Sequence, residues 1–181
     1  MCQFKSAIYT ENGEIFEFPN EDSHQKILKA HGKSDKGIPA DFVKIELVPR
    51  KNPKDINDWE FIIDMPPTDL PKWWNKGHSA IAEQEFRKLV TEKYLHIDKT
   101  IKVVDFTGYF YDCKIGKING GKQWLYDDSS IKEISGGEQM LYYNSIIKKV
   151  CGGTQFLHEN SVIKKVGGGT QTLYGNSKIN K

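Results

Sequence analysis

Three groups of residues in this chain carry side chains able to do chemistry. Cys2 follows Met1, and loss of that Met would leave an N-terminal cysteine whose thiol is a nucleophile and whose own α-amine is a base. The same residue also suits the start of an edge strand, as a small apolar side chain. The second group is a set of lysines in columns. Lys132, Lys148 and Lys164 recur at a step of 16, beside Glu133, Lys149 and Lys165. Like charges stacked at the inter-strand spacing of about 4.8 Å repel. The phosphates of a nucleic acid, or another anionic ligand, would offset that repulsion and bind with a steep salt dependence. A solvated face that resists lateral aggregation explains the same stripe. The third group is Trp73-Trp74, set behind three prolines, which reads as packing or as a docking platform for a partner protein.

Other chemistry is poorly represented. Only five histidines are present, His24, His31, His78, His96 and His158. There is no CxxC, no HExxH and no paired histidine at ligand spacing, so neither a metal nor a cofactor is expected. Ser23 and Lys26 sit at helical spacing, but Asp22-Ser23-His24-Gln25 ahead of Ile27-Leu28 reads as a helix start, with Asp22 as cap and Gln25 reaching back. Cys113 and Cys151 fall in small-residue columns of a repeat and are read as structural.

That repeat must position the lysines. Glycine pairs fall at Gly120-Gly121, Gly136-Gly137, Gly152-Gly153 and Gly168-Gly169. Gln123, Gln139, Gln155 and Gln171 keep the same 16-residue step, as do Leu125, Leu141, Leu157 and Leu173. Ser129, Ser145, Ser161 and Ser177 do so too, with Ile131, Ile147, Ile163 and Ile179. A fixed period this short means a β-solenoid, in which each coil buries its apolar side against its neighbours. Because the glycine pairs recur in every coil with no Lys-Ser/Thr behind them, they do not form a phosphate loop. Ile131 and Ile134 can both face inward only if a corner lies between them. Gly-Gly and Asn-Ser mark further corners, since Gly and Asn tolerate positive φ. The Gln column, and the column of Asp128, Asn144, Asn160 and Asn176, are expected to hydrogen-bond along the stack as amide ladders. His158 shares a column with Tyr126, Tyr142 and Tyr174 and reads as surface decoration. The end of the last coil, Ser177 to Lys181, has no polar cap, and its strand edge invites a second copy of the chain to form a homodimer.

The first hundred residues differ. Gln3–Thr10 and Glu14–Phe18 alternate in polarity around Asn12-Gly13, a strong hairpin signal. A short helix should end at Gly32. Phe42–Val48 and Trp59–Asp64 read as a strand pair, and Ala80–Leu95 as a helix with Ala82, Phe86, Leu89, Val90 and Tyr94 on one face. The expected fold is therefore an α+β head domain over 1–98, its last helix capping the solenoid, followed by a β-solenoid of 16-residue coils over 99–181.

Charge supports the division without naming a partner. The chain of 181 residues carries a net +2. Residues 1–100 contribute −2, and residues 101–181 contribute +4 with no arginine. No apolar run approaches the roughly 18 residues that cross a bilayer, and no secretory signal precedes the first strand. Three widely spaced cysteines make no disulfide framework. A cytoplasmic protein without a membrane partner is expected.

Several stretches resemble a known group. Met1-Cys2-Gln3-Phe4-Lys5-Ser6-Ala7-Ile8, Asp22-Ser23-His24, Phe42 to Pro49, Asp58-Trp59-Glu60-Phe61 and Leu70-Pro71-Lys72-Trp73, followed by the repetitive tail, resemble uncharacterised phage, prophage and bacterial proteins with a short N-terminal domain and β-solenoid repeats. The resemblance spans essentially the whole chain. It implies a mobile-element protein in a bacterial host cell, acting by binding a host protein such as a defence factor, without enzymatic activity. Met1-Cys2 alone is similar to the start of N-terminal-nucleophile hydrolases and of the abasic-site-binding SRAP proteins. The Gly-Arg that follows Cys in SRAP proteins is Gln3-Phe4 here, and the head is small for the hydrolase sandwich. Catalysis at Cys2 is the alternative function, and nucleic-acid or nucleotide binding along the lysine columns is the third.

Overall fold

The computed structural model describes residues 5–18, 22–34 and 41–180. Cys2, with Gln3 and Phe4, lies outside them. The chain divides into two compact units, Met1–Glu92 and Lys93–Lys181.

The first unit is built on an antiparallel sheet of β1 (Lys5–Thr10), β2 (Ile15–Phe16), β3 (Phe42–Val48) and β4 (Glu60–Ile63), in the order β2-β1-β3-β4. β1 and β2 meet at the expected turn, where Gly13 takes a φ of 81°. α1 (His24–Ala30) packs Ile27 and Leu28 against Ile8 and Phe42. Its N-cap is Ser23 rather than Asp22, and no side chain caps it. The Asp22 carboxylate lies instead 3.4 Å from the buried Lys5 ammonium, which also donates to the Phe18 carbonyl at 2.9 Å. Buried charge needs a counter-charge more than a helix end needs a cap. α2 (Lys76–Lys93) starts four residues before the expected Ala80. Asn75 sets the start, its Oδ1 accepting from the amides of Gly77 and His78 at 2.8 and 3.1 Å.

The second unit is a β-solenoid. Among the described residues its strands are, in chain order, β5 (Leu95–Ile97), β6 (Thr100–Val104), β7 (Gly108–Tyr111), β8 (Lys114–Ile118), β9 (Lys122–Tyr126), β10 (Ser130–Ile134), β11 (Glu138–Leu141), β12 (Ile146–Val150), β13 (Thr154–Leu157), β14 (Val162–Ile163), β15 (Thr170–Leu173) and β16 (Lys178–Ile179). Each coil gives one strand to each of two parallel sheets, the odd-numbered strands forming one and the even-numbered strands the other. From β8 onward the register step is 16, pairing Ile115 with Ile131, Ile147, Ile163 and Ile179 in turn. The first coil is shorter: Thr100 pairs with Lys114, and Gly108 with Gln123. This explains why its sequence falls out of phase with the later units.

The interior is apolar columns with two polar ones, of glutamine and of serine. Ile115 to Ile163, Val104 to Val150 and Phe110 to Leu157 form a continuous core. The expected corner between Ile131 and Ile134 is a bend at Lys132, where the ladder skips a residue while both isoleucines stay buried. Beside this core runs the glutamine column, with Gln123, Gln139 and Gln155 fully buried. Each Nε2 from Gln139 onward donates to the Oε1 of the preceding glutamine at 2.9 Å and to its own coil's glycine carbonyl at 3.0–3.1 Å. Gln123 begins the ladder on the Phe106 carbonyl. The second glycine of each pair makes this approach feasible. Gly153 has a φ of 82°, and a Cβ there would stand 2.5 Å from the Gly137 carbonyl oxygen.

The asparagine column behaves differently. A rung forms where Asn144 Nδ2 donates to Asp128 Oδ1 at 3.3 Å, and the column is exposed. The left-handed residue of this corner is not the asparagine but the residue before it: Asp127, Tyr143, Glu159 and Gly175 all have positive φ. The serine after the asparagine is buried and tied to carbonyls across the corner, as Ser161 Oγ is to His158 at 2.7 Å.

Candidate functional site

The even-numbered sheet places the lysines. At positions where Ile131 and Ile147 point inward, their neighbours Lys132 and Lys148 must point outward. Lys114, Lys132, Lys148, Lys164 and Lys165 are exposed. Position 116 interrupts the outward column with a glycine, and a Cβ there would stand 2.5 Å from the Lys102 carbonyl oxygen. The missing side chain leaves a shallow depression of about 290 Å³. Lys114, Lys132 and Lys148 ring it, with Thr100 and Ser130 adding hydroxyls. Three ammonium groups and two hydroxyls make a donor-rich hollow suited to phosphate, sulfate or carboxylate oxygens.

Two adjacent lysine columns have different electrostatics. In the outer one, Glu133 stands between Lys117 and Lys149 and pairs with both, at 3.7 and 2.9 Å. The hydrogen bond from Lys149 holds the Glu133 carboxyl below its ordinary range, and the same bond raises Lys149. Among the described residues no carboxylate lies within ion-pair distance of Lys114, Lys132, Lys148 or Lys164. Lys149 is thus engaged by the fold, whereas Lys132, Lys148 and Lys164 remain available. Sequence reading did not single out Lys114, Thr100 and Ser130, because their column reads Thr, Lys, Ser, Ile, Val, Lys with no repeated chemistry. The break at Gly116 was the usable signal.

The opposite sheet carries rings. Tyr111, Tyr126, Tyr142, His158 and Tyr174 stack with centroids 4.6–4.9 Å apart and planes within 12°. His158 is therefore a rung of an aromatic ladder rather than loose decoration. Burial pushes the Tyr111 and Tyr126 hydroxyls well above the ordinary tyrosine range. Beside this ladder, Tyr143 is 53% exposed and held at a φ of 57°. A bulky residue seldom adopts that conformation.

The chain has no counterpart in the comparisons. Set against protein-family models, curated proteins and solved structures, it matches none.

The remaining candidates take their places. Trp73 and Trp74 are half-buried in the first unit. They lie edge-on to each other at 5.8 Å, around Tyr9 and His78. That arrangement is a packed aromatic cluster. Cys113 is buried, its thiol donating to the His96 and Tyr111 carbonyls, and burial raises its pKa. Cys151 is exposed at a corner. Among the described residues no helix is long and apolar enough to cross a membrane.

Proposed function

We propose that this chain is a non-enzymatic binding protein whose solenoid presents the even-numbered sheet to a phosphate-bearing polyanion, with a nucleic-acid strand as the best fit. The observation that carries the proposal is the contrast between adjacent columns. Glu133 pairs with Lys117 and Lys149 in one column, while among the described residues Lys114, Lys132 and Lys148 line a hollow without a carboxylate partner. A repeat that can place a glutamate in one column and leaves the next one cationic maintains a repulsion that a polyanion would relieve. Fluorescence anisotropy of a labelled single-stranded oligonucleotide across a salt series tests it. Affinity should fall steeply with salt, and Lys132→Glu with Lys148→Glu should abolish binding. A salt-independent affinity, or one that survives both reversals, would refute it.

A second reading keeps a protein partner, and Tyr143 favours it. An exposed aromatic held in the left-handed region is a cost to folding, and such strain collects at contact sites. The resemblance to phage and prophage proteins supplies the setting: a bacterial host cell, and a host protein as target. A tagged pull-down from bacterial lysate at moderate salt should recover that protein stoichiometrically with the native chain, and Tyr143→Gly should lose it. Cys2→Ser should leave both binding activities unchanged.

A further inference from the structure

We propose that His24, Glu46 and Asp64, in the first unit, form a binding site for a zinc-type divalent cation. The three come from separate elements. His24 opens α1, Glu46 lies within β3, and Asp64 follows β4, fixed by its amide donating to the Lys44 carbonyl at 2.9 Å. His24 Nδ1 lies 3.1 Å from Asp64 Oδ2 and 3.9 Å from Glu46 Oε1, and all three atoms fall within 4.8 Å of one another. Ligands at about 2.1 Å from a tetrahedral zinc stand roughly 3.4 Å apart. The observed separations bracket that value, so a small closure completes the site.

The imidazole decides what belongs at the centre. His24 is only 6% exposed, and its Nε2 lies 3.2 Å from the Ile45 carbonyl oxygen. A carbonyl can only accept, so Nε2 carries a hydrogen, and the ring is turned with Nδ1 towards the two carboxylates. Two carboxylates and a ring nitrogen therefore converge from three elements, an arrangement that a cation joining them would stabilise. Metal-binding histidines are held in this way, with the far ring nitrogen tied to a backbone carbonyl. Ligating carboxylates are likewise held by further hydrogen bonds, and Ser6 Oγ donates to Glu46 Oε1 at 3.1 Å. One nitrogen and two oxygens suit zinc and its first-row neighbours better than calcium or magnesium, which take oxygen shells. Asp64 is 56% exposed, so the fourth position opens to water and to exchange. This inference stands apart from the polyanion reading, which concerns the other unit.

The test uses the untagged full chain after chelation and dialysis, titrated with zinc chloride by calorimetry and with cobalt chloride by visible absorption. One equivalent should bind, thermal unfolding should shift upward, and cobalt should give the intense bands of a four-coordinate site. Asp64→Asn changes an exposed side chain and leaves the fold intact. It should weaken zinc by about tenfold or more, and His24→Gln should weaken it further. Magnesium and calcium should give no heat at equal concentration. The proposal is overturned if zinc binds with no shift in unfolding, if the affinity is the same in Asp64→Asn, or if no zinc binds at all.

Discussion

Two columns of the same solenoid use nitrogen-bearing side chains at the same 16-residue step, with opposite results. The glutamines run through the interior, and each amide donates to the one before it, so the column satisfies itself. The lysines run along the outside, have donors only, and cannot satisfy one another. Stacking strengthens whatever a side chain can do with a copy of itself. An amide is its own complement, and an ammonium group is not. The inner column is therefore structure, and the outer one is left to solvent or to the polyanion proposed for it.

Changes in the interior should act on stability, and changes outside should act on binding. Gly153→Ala should have the largest effect, because it places a Cβ against the Gly137 carbonyl at a φ open to glycine. A loss of about 4 kcal/mol is expected, read as a fall in the urea midpoint. Gln139→Ala removes one rung, leaving Gln123 Oε1 without its donor and Gln155 Nε2 without one acceptor. It should cost about 3 kcal/mol in the same measurement, with oligonucleotide affinity unchanged in the folded protein.

His96 approaches the interior through pH. It is buried against Phe106 and Phe110, and burial, reinforced by Lys99, pushes its pKa down to about 4. The unfolded chain, with an ordinary histidine near 6.5, takes up the proton first. The stabilisation is therefore complete above pH 6.5 and is lost as the pH falls towards 4, for a total approaching 3 kcal/mol. Unfolding curves at pH 7, 5 and 4 should show this slope, and His96→Phe should flatten it. Outside the core the signs reverse. Tyr143→Gly should stabilise the fold by up to about 1 kcal/mol while removing any protein partner held there. Lys148→Glu should raise stability slightly, by less than about 0.5 kcal/mol, yet weaken oligonucleotide binding, which the added Lys132→Glu should abolish. If Lys148→Glu unfolded the solenoid, or Gln139→Ala changed affinity without changing stability, the division between the columns would fail.

The solenoid was legible in the sequence because its contacts repeat at a fixed step. Gln139 and Ile147 each meet a copy of themselves, so a list of equal residues is also a list of contacts. The hairpin at Gly13 and the strand Phe42–Val48 were legible for a local reason, turn chemistry and alternation. What escaped depends on contacts between unlike residues. The left-handed positions hold Asp127, Tyr143 and Glu159, which share a backbone geometry and no chemistry, so the asparagine beside them drew attention instead. Glu133 ties up two lysines of its column through one substitution in one coil. Of the site proposed in the first unit, His24, Glu46 and Asp64 carry no common spacing. They meet because β3 pairs with β4 and α1 returns over the sheet, and no motif of adjacent residues announces that.

The glutamine ladder sets a ruler for the chain. Every later coil finds its partner 16 residues back, so copying residues 144–159 in place would extend the rod by one step and repeat each contact already present. An extra residue within a strand would turn the side chains after it to the opposite face, whereas a corner absorbs the difference, as the 15-residue step from Phe110 to Leu125 does with both side chains buried. The later coils therefore set a natural unit of growth, and each added copy would lengthen the cationic stripe by one more lysine.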